Sequence, residues 1–179
     1  MRKYFVHAAL CLLLAAGFTA CDTETDVEPG GTNIEKMCGL WDVKADAVNE
    51  NNEVVFEDFF DLGIFSLYTF NTVDNSATKM WIDDKGVFWD FKFIVDVDYA
   101  VRTFQATNVV YEEGQYEEEE PGMATVWNGK ITENGGVNLH GKPWDTISFD
   151  ISFTDDPYPE IYGFHHYHVS GLRYTGFTE

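Results

Sequence analysis

Ile147-Ser148-Phe149-Asp150-Ile151-Ser152-Phe153 carries an apolar side chain at every odd position and a polar one at every even position. Successive side chains of a strand point to opposite faces, so this run reads as a strand with one face in a core and the other in water. Phe91, Phe93, Val95 and Val97, alternating with Lys92, Ile94, Asp96 and Asp98, repeat the logic over a longer strand. Residues 39–48, 67–72, 79–83, 103–111, 124–132 and 161–168 are strand-like through their β-branched and aromatic content. Turn signals at Asp83-Asp84-Lys85-Gly86 and Asn134-Gly135-Gly136 separate neighbouring strands.

About eight short strands in series predict an all-β fold, an antiparallel meander. With one apolar face and many aromatics, the meander is expected to close into a calycin- or lipocalin-like barrel, because closure removes exposed edges. A two-sheet sandwich is the alternative with the same periodicity. Residues 53–62 break the period: Val55/Phe59 and Phe56/Phe60 fall at i,i+4 with Glu57, Asp58 and Asp61 between them. That spacing predicts a short amphipathic helix or an apolar-faced loop across one mouth, as a plug that seals the core or, alternatively, as a lid. Residues 112–122 contain Glu117-Glu118-Glu119-Glu120, followed by Pro121-Gly122, and are expected to form a solvated hairpin tip.

Upstream of the strands the chain changes character. Arg2 and Lys3 precede an apolar run at 8–16, and Thr19-Ala20 lead into Cys21. The run has signal-peptide length and is shorter than the roughly 20 apolar residues that span a bilayer. Gly17-Phe18-Thr19-Ala20-Cys21 resembles a lipobox, with Phe18 at a position where Leu is usual, which implies cleavage after Ala20 and lipidation of the Cys21 thiol. Residues 22–31 are acidic, then rich in Pro and Gly, with almost nothing to bury. The expected organisation is therefore a signal peptide at 1–20, a tether at 21–33 and a barrel domain at 34–179. Twelve tether residues reach about 40 Å when extended. Acidic residues directly after the cysteine resemble the export signal of Bacteroidetes surface lipoproteins, which implies an exported, outer-membrane, surface-exposed protein.

The net charge is −20 over 179 residues, and loss of Arg2 and Lys3 with the leader makes it −22. Such a field excludes nucleic acid and anionic membrane surfaces as natural partners. Cys11 leaves with the leader and Cys21 is consumed by lipid, so Cys38 stands alone, read as a buried small hydrophobe. Packing without disulfides must hold the fold.

Residues that carry chemistry are few. His165-His166-Tyr167-His168 is the one cluster with metal flavour; on a strand His166 and His168 share a face, but a zinc site needs further ligands and neither CxxC nor HExxH accompanies them. None of Ser66, Ser76, Ser148, Ser152 or Ser170 lies in a GxSxG elbow. Neither a metal, a cofactor nor a catalytic residue is expected. Aromatics remain, and Trp41, Trp81, Trp89, Phe91 and Phe93 are assigned to the barrel interior or its mouth.

Lys79-Met80-Trp81-Ile82-Asp83-Asp84-Lys85-Gly86-Val87-Phe88-Trp89-Asp90-Phe91-Lys92, with Glu35-Lys36-Met37-Cys38-Gly39-Leu40-Trp41 and Ser170-Gly171-Leu172-Arg173-Tyr174-Thr175-Gly176-Phe177, resembles the Bacteroidetes lipoproteins grouped as lipid-binding putative hydrolases. The resemblance spans nearly all of the domain and implies a calycin-like barrel and lipid binding, with no catalytic residues to transfer. The expected function is a membrane-anchored, non-catalytic module for a small apolar or amphipathic ligand, whose head is oriented by His166, Tyr167 and His168. An accessory glycan-binding or surface-assembly lipoprotein is the first alternative and a hydrolase the second.

Overall fold

The computed structural model of the chain describes residues 31–111 and 121–176; the predicted leader, Cys21, the tether up to residue 30 and the acidic tip at 112–120 lie outside the described residues. Nine strands follow a short 3-10 turn at Glu35–Met37: β1 (Gly39–Val48), β2 (Val54–Phe56), β3 (Phe65–Asn71), β4 (Lys79–Asp83), β5 (Lys92–Asp98), β6 (Thr103–Val110), β7 (Met123–Val137), β8 (Pro143–Phe153) and β9 (His166–Arg173). A single helical turn, α1 (Tyr158–Tyr162), links β8 to β9. Every pairing is antiparallel, and β9 returns to β1 from Trp41↔Arg173 to Val48↔His166. The meander therefore closes as a barrel of β1 and β3 to β9, with β2 as an extra strand on the end of β1. Closure rules out the sandwich.

Alternation sorts the side chains as the sequence implies. Ile147, Phe149, Ile151 and Phe153 of β8 point inward with Phe93, Val95 and Val97 of β5, Val43, Ala45 and Ala47 of β1, and Tyr167 and Val169 of β9. Each large side chain of this kind contributes about 1.5–3 kcal/mol by leaving water. Gly171 continues the inward row of β9 where the strand touches β1; a Cβ there would collide with the Asp42 carbonyl, so only glycine allows the close approach.

Two expectations are corrected, and of the two forms expected for residues 53–62 the loop is the one found. Residues 161–168 are not one strand: α1 occupies Tyr158–Tyr162, Gly163 ends it with φ 77°, and β9 begins only at His166. Asn134-Gly135-Gly136 is no turn but a bulge inside β7, where pairing with β8 shifts between Thr132 and Gly136. The left-handed φ of Asn134 serves the bulge, while the reversal falls at Asn138, whose side chain accepts the N–H groups of His140 and Lys142. Residues 53–62 form β2 and then a loop, since Asp58 and Asp61 adopt φ 43° and 55°, which a helix forbids.

The two ends differ in construction. At one, the 3-10 turn crosses the barrel floor with Ile34 and Met37 wholly buried. Trp41 Nε1–H donates to Thr69 Oγ1 at 2.8 Å, Thr69 donates to the Met37 carbonyl at 2.6 Å, and the Arg173 guanidinium lies 4.4 Å from the Trp41 ring while donating to the Cys38 and Lys36 carbonyls. Cys38 is half-buried there, and burial pushes its thiol pKa up, keeping it an unreactive filler. The opposite end is the mouth, ringed by the β1–β3, β4–β5 and β8–β9 connections.

Candidate functional site

Two carboxylates shape the mouth loops. Asp84, wholly buried, accepts five backbone N–H groups, from Gly86, Phe88, Trp89, Asp90 and Phe91, at 2.7 to 3.1 Å. The predicted turn at residues 83–86 thus becomes a tight loop, with Lys85 and Gly86 at φ 56° and 74°, that throws Phe88 and Trp89 over the opening. Asp58 does the same on the other side: its N–H donates to Asp46 and its carboxylate accepts Leu62 and Gly63, which directs Phe59 and Phe60 inward. Phe60 meets Phe88, Trp89, Tyr158 and Tyr167 at centroid distances of 5.5 to 6.0 Å, and Trp89 stacks on Phe153 at 4.7 Å. Edge-to-face and offset contacts of this kind are worth about 0.5–1.5 kcal/mol each beyond area burial. The plug predicted from residues 53–62 exists as an apolar-faced loop.

Beneath this cap the wall opens. β5 and β6 pair only from Asp96↔Gln105 to Asp98↔Thr103, because a bulge at Ala106–Val109, with Asn108 at φ 49°, bends β6 away from the start of β5. The resulting cleft of about 910 Å³ is walled by Trp81, Ile94, Val109 and Val110 and floored by Phe91 and Phe93. That volume lies within the roughly 300–1,000 Å³ of small-molecule sites. Lys92 stands at the rim with its ammonium 5.4 Å from the Trp81 ring, and Lys85 is paired with Asp83 at 2.7 Å.

The predicted site residues therefore separate. Trp81, Phe91 and Phe93 share the cleft, whereas Trp89 belongs to the cap and Trp41 to the floor of the closed end. Phe91 joins the groups, at 5.2 Å from Phe93 and 6.1 Å from Phe153. The interior itself is packed with side chains, Trp41, Phe149, Leu67, Met80, Ile82, Ile131, Ile147 and Ile151 among them. Space for a ligand is offered at the seam.

Tyr167 and the two histidines lie on opposite faces of β9. His166 and His168 share the outer face, as predicted, and converge on Asp150, a residue the alternation assigned to water but which is wholly buried. Asp150 accepts His168 Nδ1 at 2.7 Å, Asn128 at 2.7 Å and Asn52 at 3.1 Å, and lies 3.6 Å from His166 Nε2. Burial alone would raise its pKa; the three hydrogen bonds outweigh it and hold the carboxyl below the ordinary range. His166 is pushed down, first by burial, with Trp127 4.8 Å from its ring. Among the described residues no serine, threonine or cysteine hydrogen-bonds these histidines, and no cluster has the geometry to hold a metal.

Sequence reasoning missed Asp84, Tyr111, Asp155 and Asp156. Trp89 Nε1–H donates to Tyr111 Oη at 2.9 Å, and the Tyr111 hydroxyl donates to Asp155 at 2.5 Å. The available signals were the Asp83-Asp84-Lys85-Gly86 turn, read for conformation alone, and Asp155-Asp156 before Pro157 at a strand end. A comparison with curated proteins found no match. The model of the lipid-binding putative hydrolase family matches residues 26–178, and the chain belongs to that family.

Proposed function

We propose that this protein is a membrane-anchored lipoprotein that holds a small apolar or amphipathic, lipid-like molecule, without chemistry of its own. Membership of a lipid-binding family and the closed β-barrel fit a lipid-binding role. The observation that carries the reading is the β5–β6 seam, where the wall parts over Phe91 and Phe93 and leaves a cleft of about 910 Å³ with Trp81, Ile94, Val109 and Val110 among its walls and Asp83, Lys85, Asp90 and Lys92 also lining it. An alkyl chain laid there gains about 25 cal/mol for each Å² of apolar surface it buries, before ordering costs. Lipidation at Cys21 supplies the anchor, since a diacylglyceryl group adds about 0.8 kcal/mol per buried methylene. The acidic residues after Cys21, which resemble an export signal of surface lipoproteins, support an outer-membrane location with surface exposure.

The test is native mass spectrometry of the full chain carrying Cys21→Ala, with organic extraction of whatever stays bound. A retained lipid that is lost in Val110→Glu supports the reading; Val110 is 41% exposed, so the added charge enters the cleft and spares the core. A protein that neither retains nor takes up any lipid overturns it. Cell fractionation tests the anchor: Cys21→Ala is expected in the soluble fraction, and its complete recovery with membranes defeats lipidation. Protease shaving of intact cells tests surface exposure.

The packed interior, together with Phe56 and Tyr162 exposed at 39% and 51%, favours one second reading: an accessory protein that stacks these rings on sugars. Glycan binding that survives Val110→Glu and fails on Phe56→Ala would select it.

A further inference from the structure

Four charged side chains, Asp83, Lys85, Asp90 and Lys92, line the β5–β6 cleft beside its apolar residues. Three of them are engaged within the β4–β5 turn. Asp83, its side chain 5% exposed, takes the Lys85 N–H through one oxygen at 2.8 Å and the Lys85 ammonium through the other at 2.7 Å. Asp90 curls back over the same turn, with one oxygen 2.9 Å from the point where a Gly86 side chain would begin. Lys92 stands opposite Asp83 in the β4–β5 pairing, yet no carboxylate lies within ion-pair distance of its ammonium among the described residues.

What holds Lys92 is a pair of rings. Phe70 and Trp81 stack with centroids 6.2 Å apart, and the ammonium lies 5.7 Å from the first and 5.4 Å from the second. Such contacts orient a cation without neutralising it, and its N–H donors stay available to an incoming acceptor. An ammonium positioned beforehand lowers the ordering cost that a ligand must otherwise meet. The same strand turns Phe93 into the cleft and sets Ile94 along its wall. Cation and apolar bed are thus neighbours, the layout that an amphiphile with a negative head requires. One unpaired ammonium matches one negative charge; a doubly charged head would leave its second charge facing Asp83 and Asp90 in a chain of net charge −20. A cationic head would meet Lys92 as a like charge.

We propose that the cleft binds a monocarboxylate amphiphile of the fatty-acid class, with its carboxylate on the Lys92 ammonium and its chain over Phe91, Phe93 and Val110. The assignment rests on the lipid-binding reading above and adds the head-group class to it.

Three probes with one chain length test it: dodecanoate, dodecanol and dodecylammonium, each titrated near neutral pH and below its micelle concentration into the Cys21→Ala full chain. Binding is followed by the Trp81 indole N–H resonance, assigned with Trp81→Phe. The decisive quantity is the change on adding Lys92→Met, which keeps an apolar stem against the rings, removes the charge and sits at an exposed position. Comparing each probe with itself cancels the field of the whole chain. Dodecanoate is expected to weaken about fivefold, the upper end of what a solvent-exposed ion pair contributes. Dodecanol should be unchanged and dodecylammonium should tighten, while Lys92→Arg should keep the affinity for dodecanoate. Dodecanoate left untouched by Lys92→Met, dodecanol weakened as much as dodecanoate, or dodecanol binding where dodecanoate does not, overturns the head-group assignment and leaves lipid binding standing. Binding of none of the three overturns both.

Discussion

At the closed end of the barrel a hydrogen-bonded network ties the strands to the buried 3-10 turn, whereas at the mouth aromatic rings seal the opening. Trp41, Thr69, Arg173 and the carbonyls of Lys36, Met37 and Cys38 form one satisfied network over a buried 3-10 turn. Phe59, Phe60, Phe88 and Trp89 cap the other end over Tyr167 and Asp156, whose hydroxyl and carboxyl interact with each other. A satisfied polar network gives a closure that only its own geometry completes. Aromatic packing is less directional and stabilises mainly by burial and ring contacts. The contrast separates the end that holds the fold from the end suited to binding.

The strongest way to break this contrast is Trp41→Ala, which empties a wholly buried site, strips Thr69 of a donor and removes the ring under Arg173. It should cost about 3–5 kcal/mol in denaturant unfolding. A loss below about 1 kcal/mol would show that the closed end does not anchor the barrel. Asp84→Asn comes next, because the amide turns one of two acceptor oxygens into a donor facing five N–H groups. Its expected cost is about 2–3 kcal/mol, and hydrogen exchange should rise at Phe88 to Phe91 while Trp41 and Thr69 stay protected. Equal loss of protection at both ends would erase the distinction.

The smallest effect is a pH dependence on the outer wall. Burial holds the His166 pKa below its ordinary 6.5, so on acidification the unfolded chain takes up this proton before the folded one. Stability contributed by neutral His166 is full above pH 6.5 and declines as pH falls below it. Asp150, held low by its hydrogen bonds, adds a loss only when pH falls further through the carboxylate range. Tm should drop by a few degrees between pH 7.5 and 5.5, at about 2–4 °C per kcal/mol for a domain of this size. His166→Gln should flatten that drop, and an unchanged slope in the variant assigns it to another group.

Alternation made the core strands legible. β8 and β5 could be read residue by residue, since a half-buried strand shows its period in composition alone. The same rule misplaced Asp150, whose outer face is covered by Asn52 from the β1–β2 hairpin and His166 and His168 from β9, a burial that depends on residues up to 98 positions away. Local turn chemistry was legible as far as conformation. Asn134-Gly135-Gly136 does take left-handed backbone at Asn134, but whether that reverses the chain or bulges it depends on the partner strand. Of the candidate ligand residues, Trp81, Phe91 and Phe93 meet at one cleft because a bulge in β6, distant in sequence, opens the wall beside them.

By itself the sequence determined the all-β class, the inward and outward faces, an aromatic-rich interior and the strong negative charge, because period, composition and charge are local sums. Only the tertiary structure decided which strands meet, that the wall opens at the β5–β6 seam, that His166 and Tyr167 part to opposite faces, and that Asp156 stands against Tyr167. Those are matters of register and long-range pairing, where a one-residue shift moves a side chain from core to solvent.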